Sequence, residues 1–303
     1  MLTRDIAVFV AHARTLCPDF GPPTAKAAFL VAPEGFALAT ESARDNRYMS
    51  PAADFEQARA MAQHRQLHRA LAAQLPVVGF AGDPDAPDGL FPNNVFATAP
   101  GRLIVGRMRH PVRQREAGRE DIRGFFQQAL GYQTVDLSRQ PHACELTGAL
   151  VIDRLRGIGF CGLSERCDAE GAALMHAAFG LRATLLFDLT PGEYHTNVVL
   201  TVLAGRAALL SPTGFVDPAV ADAICALYAP HGLRVGAAAH AAFVCNAIAL
   251  AEGTVWMSRG AAMALGGEVD VGLADAGFAV RAVELDAIEA AGGSLRCCVA
   301  EIF

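Results

Sequence analysis

A period of about fifty residues runs through this chain of 303, and it restricts the fold to architectures built by repetition. Four segments, 94–107, 147–163, 195–211 and 242–258, each join two apolar, β-rich runs across a short turn that carries glycine or charge. Between them, 115–131, 168–180, 217–229 and 259–266 have the apolar spacing of helices. A fifth unit can be assembled from the two ends: the C-terminal LRCCVAEIF would pair with the early KAAFLVAP, and a helix over 53–74 would follow. The pattern predicts a closed, radially repeated α/β structure whose last strand closes the ring.

The same period places chemistry. Asn94, Glu145, His195, Asn246 and Cys297 follow one another at intervals of 51, 50, 51 and 51 residues, each at or near the start of a predicted strand. Around a common axis, these five side chains converge at one end. A thiol, an imidazole, a carboxylate and two amides in one pocket have the composition of an active site.

Each candidate has a plainer reading beside it. Cys297, in GGSLRCC, lies next to Arg296, whose charge favours the thiolate, yet most cysteines are small buried hydrophobes. Cys298 is expected on the opposite face of the strand, in a structural role. His195, in GEYHTNVVL, is an acid and base if it meets the thiol and a carboxylate, and a satisfied core histidine otherwise. Glu145 enters an apolar run and needs a partner, either His195, a cationic substrate, or a salt bridge to Arg154 or Arg166. His64 and His68 stand one helical turn apart without a third ligand, so an exposed polar face is expected rather than a metal site. GIGFCG at 157–162 matches a dinucleotide fingerprint only formally, since it forms the second strand of a hairpin and opens no helix.

Composition removes several function classes. Net charge is −6 and the 25 Lys and Arg are scattered, which excludes the basic stripe of a nucleic-acid binder. With 52% hydrophobic residues there is enough apolar material for a large core. The apolar runs near 197–210 and 241–251 are too short and too polar for membrane spans, and MLTRDIAVFVAHARTL reads as an amphipathic helix rather than a signal peptide. Eight cysteines without CxxC pairing suggest reduced thiols and a cytoplasmic location. The expected partner is a small molecule, with no nucleic acid and no membrane; a homodimer is allowed.

FPNNVFAT, ELTGALVIDR, YHTNVVL and GGSLRCCVAEIF resemble the guanidino-modifying superfamily, or penteins, which includes arginine deiminase, dimethylarginine dimethylaminohydrolase, amidinotransferases and arginine dihydrolases. The pattern is most similar to a bacterial amidinotransferase-like group linked to citrulline use. The resemblance implies a five-bladed pseudo-symmetric α/β propeller, here one catalytic domain over 1–303 with 1–26 as a helical extension. It implies Cys297 as nucleophile, His195 as acid and base, and Glu145 as the orienting carboxylate. Asn94 and Asn197 fall where relatives place guanidinium-binding aspartates, and Arg113, Asn246 and Phe91 are further substrate-contact candidates. No metal or organic cofactor is implied.

The expected reaction is hydrolysis of a C–N bond of a guanidino or ureido amino acid through a covalent thiol adduct. Two amides in place of two carboxylates lean toward a neutral ureido group such as that of citrulline. Transfer of an amidino group to an amine, or a catalytically silent binding propeller, are the competing readings.

Overall fold

The computed structural model describes residues 1–303, arranged as five small sheets in a ring. Each sheet is built alike: an antiparallel hairpin followed, after a helical crossover, by a third strand parallel to the second. In chain order the hairpins are Phe96–Ala99 with Arg102–Val105, Leu150–Asp153 with Ile158–Leu163, Leu200–Leu203 with Ala207–Leu210, and Ile248–Ala251 with Thr254–Ser258. The fifth pairs the two ends of the chain, Ala300–Ile302 against Ala27–Val31. The third strands are Val77–Phe80, Gln133–Asp136, Ala183–Asp188, Gly232–Arg234 and Ala279–Val283. These were not anticipated from sequence, being three to six residues long and, apart from Ala183–Asp188, at sheet edges, where alternation is too brief to register.

The crossover helices fall where apolar spacing puts them, at Gln57–Ala72, Ala169–Phe179 and Pro218–Leu227, with Arg259–Ala264 and Gly267–Asp275 sharing the last crossover. Over 115–131 the chain forms short consecutive turns of 3-10, α and π type rather than one helix. Asp168 and Asp217 cap their helices by accepting from Gly171 N and Ala219 N. The apolar faces of helices and sheets bury into five large clusters of 13 to 20 residues, in place of one central core. That leaves the axis free to be polar.

The N-terminal segment is more than a helix. Leu2–Thr3 adds a parallel fourth strand beside Ala183–Asp188, and Ile6–Thr15, capped by Asp5, buries Phe9 against Phe160 with ring centroids 5.5 Å apart.

Candidate active site

Where strand starts were expected, four of the five periodic residues lie in or cap a single helical turn just ahead of the first strand of a unit. Asn94 ends the turn Pro92–Asn94; Glu145 and His195 cap Leu146–Ala149 and Thr196–Val199; Cys297 lies in Leu295–Cys298. Asn246 follows a tight turn before Ile248–Ala251. A four-residue turn is below the length at which helical periodicity shows in sequence. It also alters Cys298, which lies about 100° around a helical turn from Cys297 rather than on the opposite face of a strand, and is buried in the apolar cluster.

Polar side chains tie successive turns to one another. Thr147 Oγ1 donates to Asn93 O at 3.0 Å, Asn197 Nδ2 to Thr147 O at 3.2 Å, Asn246 Nδ2 to Asn197 O at 3.0 Å, and Arg296 N to Asn246 O at 3.2 Å. One level down, Thr98 Oγ1 donates to Glu301 O, linking the first and last units. Buried backbone carbonyls near the axis need donors, and three side chains on this level and the Arg296 backbone amide supply them. The ring therefore fixes where Glu145, His195 and Cys297 stand.

Glu145 is fully buried and each oxygen is held. Oε1 accepts from Arg109 N at 2.9 Å; Oε2 accepts from Arg166 Nη1 at 3.3 Å and lies 2.8 Å from His195 Nε2. Burial alone would raise its pKa, but the Arg166 guanidinium, then His195, hold it well below the usual carboxylate range. An ionised Glu145 can only accept, so the neutral imidazole donates from Nε2 and leaves Nδ1, which has no partner, as the basic nitrogen. Burial lowers the His195 pKa, opposed by Glu145. Arg166 is the salt-bridge partner, and Arg154 is not: Arg154 donates to Thr98 O and stacks over Phe303 at 4.1 Å.

Cys297 Sγ receives Asn246 Nδ2 at 3.3 Å and Asn197 Nδ2 at 3.8 Å, while Cys297 N donates to Asn246 Oδ1 at 3.4 Å. Burial pushes the thiol up, with Asn246, the backbone and Arg296 acting in the opposite direction. The sulfur therefore meets two amide donors at the margin of an apolar cluster to which Cys297 also belongs, and it lines one cavity with Phe91, Asn94, Arg113, Arg166 and Asp88. That cavity has about 20 Å³ of free space, room for roughly one water.

Other candidates are placed differently from one another. Asn94 borders the cavity with its Oδ1 unpartnered, whereas Asn197 is committed to Thr147 O and to Asn246. Arg113 reaches the cavity, but its Nε and Nη2 are bound by Glu116 at 2.8 Å each, and Nη2 also donates to Asp88 O and Phe91 O. Sequence reasoning missed Asp88. It is buried, burial raises its carboxyl, Oδ2 accepts from Ser42 at 2.6 Å, and Oδ1 has no partner. Its stretch, GDPDAPDGL, reads from the sequence as a structured loop at the site, but nothing in it singles out Asp88, which only the unpaired buried carboxylate marks. Also missed was the segment 42–49. Ser42, Asn46 and Met49 line the cavity, and Asp45 binds Arg166 at 2.5 Å and lies 2.9 Å from His110. For metal, His142, Asp168 and Glu170 bring ligand atoms within 4.8 Å of one another at the surface, where Asp168 already serves as a helix cap. No helix is long and apolar enough to cross a membrane.

Residues 32–303 match the family described as N,N dimethylarginine dimethylhydrolase, eukaryotic. The chain is 28% identical over 302 residues to the N(G),N(G)-dimethylarginine dimethylaminohydrolase of Mycobacterium tuberculosis (strain ATCC 25618 / H37Rv), covering 97% of this chain and 91% of that protein. Among solved structures it resembles the substrate-bound N-terminal domain of ArgZ, an arginine dihydrolase from the ornithine-ammonia cycle in cyanobacteria, with a TM-score of 0.78 at 20% identity over 91% of this chain and 97% of that one. A dimethylarginine dimethylaminohydrolase carrying an S-methyl-L-thiocitrulline adduct has a TM-score of 0.68 at 18% identity, over 91% and 99% of the two chains. These likenesses show the fold, a pseudo-symmetric α/β propeller of five sheets.

Proposed function

The chain belongs to the N,N-dimethylarginine dimethylhydrolase family, hydrolases of C–N bonds other than peptide bonds, and from that premise we propose that it hydrolyses the guanidino group of an arginine-type amino acid through a thiol adduct on Cys297. The observation that carries the choice of substrate is Asp88 Oδ1, a buried carboxylate oxygen without a partner in the same cavity as the thiol. Such an oxygen costs free energy until a donor reaches it, and a guanidinium brings several donors and a positive charge. The unpartnered Asn94 Oδ1 is a second acceptor beside it. The lean toward a ureido group rested on two amides; with Asn197 occupied by the ring, Asn94 alone supports it.

In this reading the cationic substrate draws Asp88 into its ionised form and, lying beside Sγ, lowers the thiol pKa that burial had raised. His195 Nδ1 takes the Cys297 proton, and the thiolate attacks the guanidinium carbon. Asn246 Nδ2 donates to the sulfur and steadies its charge. The tetrahedral adduct breaks its C–N bond as His195 returns the proton to the leaving nitrogen, giving an amine and an S-alkylthiouronium. Water, deprotonated by the same nitrogen, adds to that carbon; the C–S bond breaks, and the proton passes back to the thiolate. Glu145 stabilises the imidazolium formed at each step. With so little free space, entry of an amino acid requires part of the lining to move, and the segment 42–49 is one candidate.

Purified protein incubated separately with arginine, N,N-dimethylarginine and citrulline, with ammonia, dimethylamine, citrulline and ornithine measured, tests the proposal. Release of an amine from one of the two guanidino compounds is expected, together with an adduct on Cys297 seen by mass spectrometry and absent in Cys297→Ser. Turnover of citrulline alone would overturn the guanidino reading. Amine release that vanishes when glycine is added, with an amidino product in its place, would favour transfer over hydrolysis.

A further inference from the structure

The pair His64 and His68, expected on an exposed polar face, lies instead in a cleft of about 460 Å³ between the helix Gln57–Ala72 and the edge strand Val77–Phe80. His64 is 7% exposed, and its Nε2 has no partner. A buried imidazole nitrogen left unpaired calls for a hydrogen-bonding group, and because it is closed to solvent as it stands, a group in the cleft meets it only once the ring turns. The rest of the lining says what kind. Arg65 and Arg69 flank the cleft from the same helix, spaced four residues apart; neither forms an ion pair, and Arg69 uses only Nε, on Arg65 O. His68 adds another nitrogen, with Nε2 near Gly79. Met61 and Phe80 supply an apolar floor, and no lining residue is acidic.

A transition-metal ion on the two imidazoles is disfavoured by the two guanidinium groups at the same rim. An anion is favoured by all of them, and burial keeps His64 neutral, its pKa pushed down to about 4, so its one ring hydrogen is free to sit on whichever nitrogen finds an acceptor. We propose that this cleft is a binding site for an amphiphilic organic anion, a carboxylate or phosphate head held by Arg65, Arg69 and His64 with an apolar body on Met61 and Phe80.

The site is separate from the catalytic cavity, but its ends lie at the roots of the two loops that line that cavity. Ala32 and Ala81 line the cleft, and the backbone is so close there that a Cβ on Gly82 would come within 2.2 Å of Ala32 O. From Ala32 the chain runs to Ser42, Asn46 and Met49, and from Ala81 to Asp88 and Phe91. An anion bound in the cleft is therefore in a position to bias the segment 42–49.

Binding of 8-anilinonaphthalene-1-sulfonate, followed by fluorescence in the full-length protein, tests this, with octanoate, octyl phosphate and octanol as competitors. Expected are saturable binding at one site, displacement by octanoate or octyl phosphate but not by octanol, and weakening of about tenfold or more in Arg65→Gln/Arg69→Gln. Whichever head group displaces at lower concentration identifies the source of the anion. His64→Phe, which keeps the ring volume and removes the nitrogens, should weaken the octanoate competition as well. Because saturating substrate on Cys297→Ser should leave the probe in place, binding at the catalytic cavity is distinguished. Displacement by octanol as effective as by octanoate, or unchanged affinity in the arginine double variant, would overturn the proposal and leave only an apolar patch.

Discussion

Replacing Glu145 by Gln keeps the side chain's shape and removes the charge to which Arg166, Arg109 N and His195 are all oriented. Breaking one partner of a buried ion pair typically costs about 3–5 kcal/mol, because the other charge is left uncompensated. Glu145→Gln is expected to lose that much in urea unfolding and to lower kcat/KM by about 10²- to 10⁴-fold, the range of acid–base catalysis. A variant with unaltered kcat/KM would remove Glu145 from the mechanism. The pH profile follows from the same charges. Burial raises the Cys297 pKa and lowers that of His195, so near neutral pH both are uncharged in the free protein. We expect kcat/KM to be bell-shaped, rising with pH as His195 loses its proton below the ordinary imidazole value of about 6.5 and falling above the ordinary thiol value of about 8.5, where the proton that His195 must hand to the leaving nitrogen is gone. In kcat the upper inflection should move down, since the bound cation favours the thiolate. A kcat/KM that keeps rising above the thiol value would mean that the leaving nitrogen is protonated by something other than the Cys297 proton carried on His195.

At the scale of the element, the one-turn helices ahead of each first strand decide whether the side chains meet. Gly148 shows how tight they are: a Cβ built there lies 2.5 Å from Asn94 Oδ1 and 2.8 Å from both Cε1 and Nδ1 of His195. Neither neighbour is the far end of a flexible chain, so Gly148→Ala must displace one of them. A shift of about 1 Å at a reacting group costs on the order of 10²-fold in rate, while overpacking costs about 1–3 kcal/mol in stability. Gly148→Ala is expected to show a kinetic loss of that order in an otherwise folded protein. Gly118→Ala, where nothing lies within 4 Å, should leave both kinetics and urea midpoint unchanged and serves as the control. Equal behaviour of the two variants would contradict the packing described for the site.

For the whole molecule, the ring has no free end because its last strand closes it. Ala300–Ile302 pairs with Ala27–Val31, Phe303 N donates to Thr98 Oγ1, Tyr132 donates to Phe303 O, and the Phe303 ring covers Arg154. Deleting residues 300–303 retains Cys297 and every other residue assigned to the chemistry. Ile302 and Phe303 are 2% and 5% exposed, and removal of two such side chains alone costs about 5 kcal/mol or more. The truncated chain is expected to unfold at a much lower urea concentration and to be inactive. An unchanged midpoint would show that closure contributes little to this fold.

How far the sequence reached depends on the range of the interaction. The fifty-residue period, the hairpins, most crossover helices and the joining of the two ends are properties of local pattern repeated along the chain, and they could be read without coordinates; so could the five periodic residues that the axis brings together. What the sequence did not disclose are features made by residues far apart. The stretch of Asp88 reads as a structured loop at the site, but neither it nor the stretch of Asp45 singles out its aspartate, and only in the folded chain does one face the thiol's cavity while the other anchors Arg166. Asn197 reads as a substrate contact, and only the fold ties it to Thr147 O and Asn246 while keeping its amide 3.8 Å from the thiol; His64 reads as exposed until the edge strand Val77–Phe80 packs beside its helix. By itself the sequence determined the repeat and the types of residue at its axis; burial, and with it which charges are paired and which are left waiting for a ligand, was decided only by the tertiary structure, because desolvation depends on every neighbour at once.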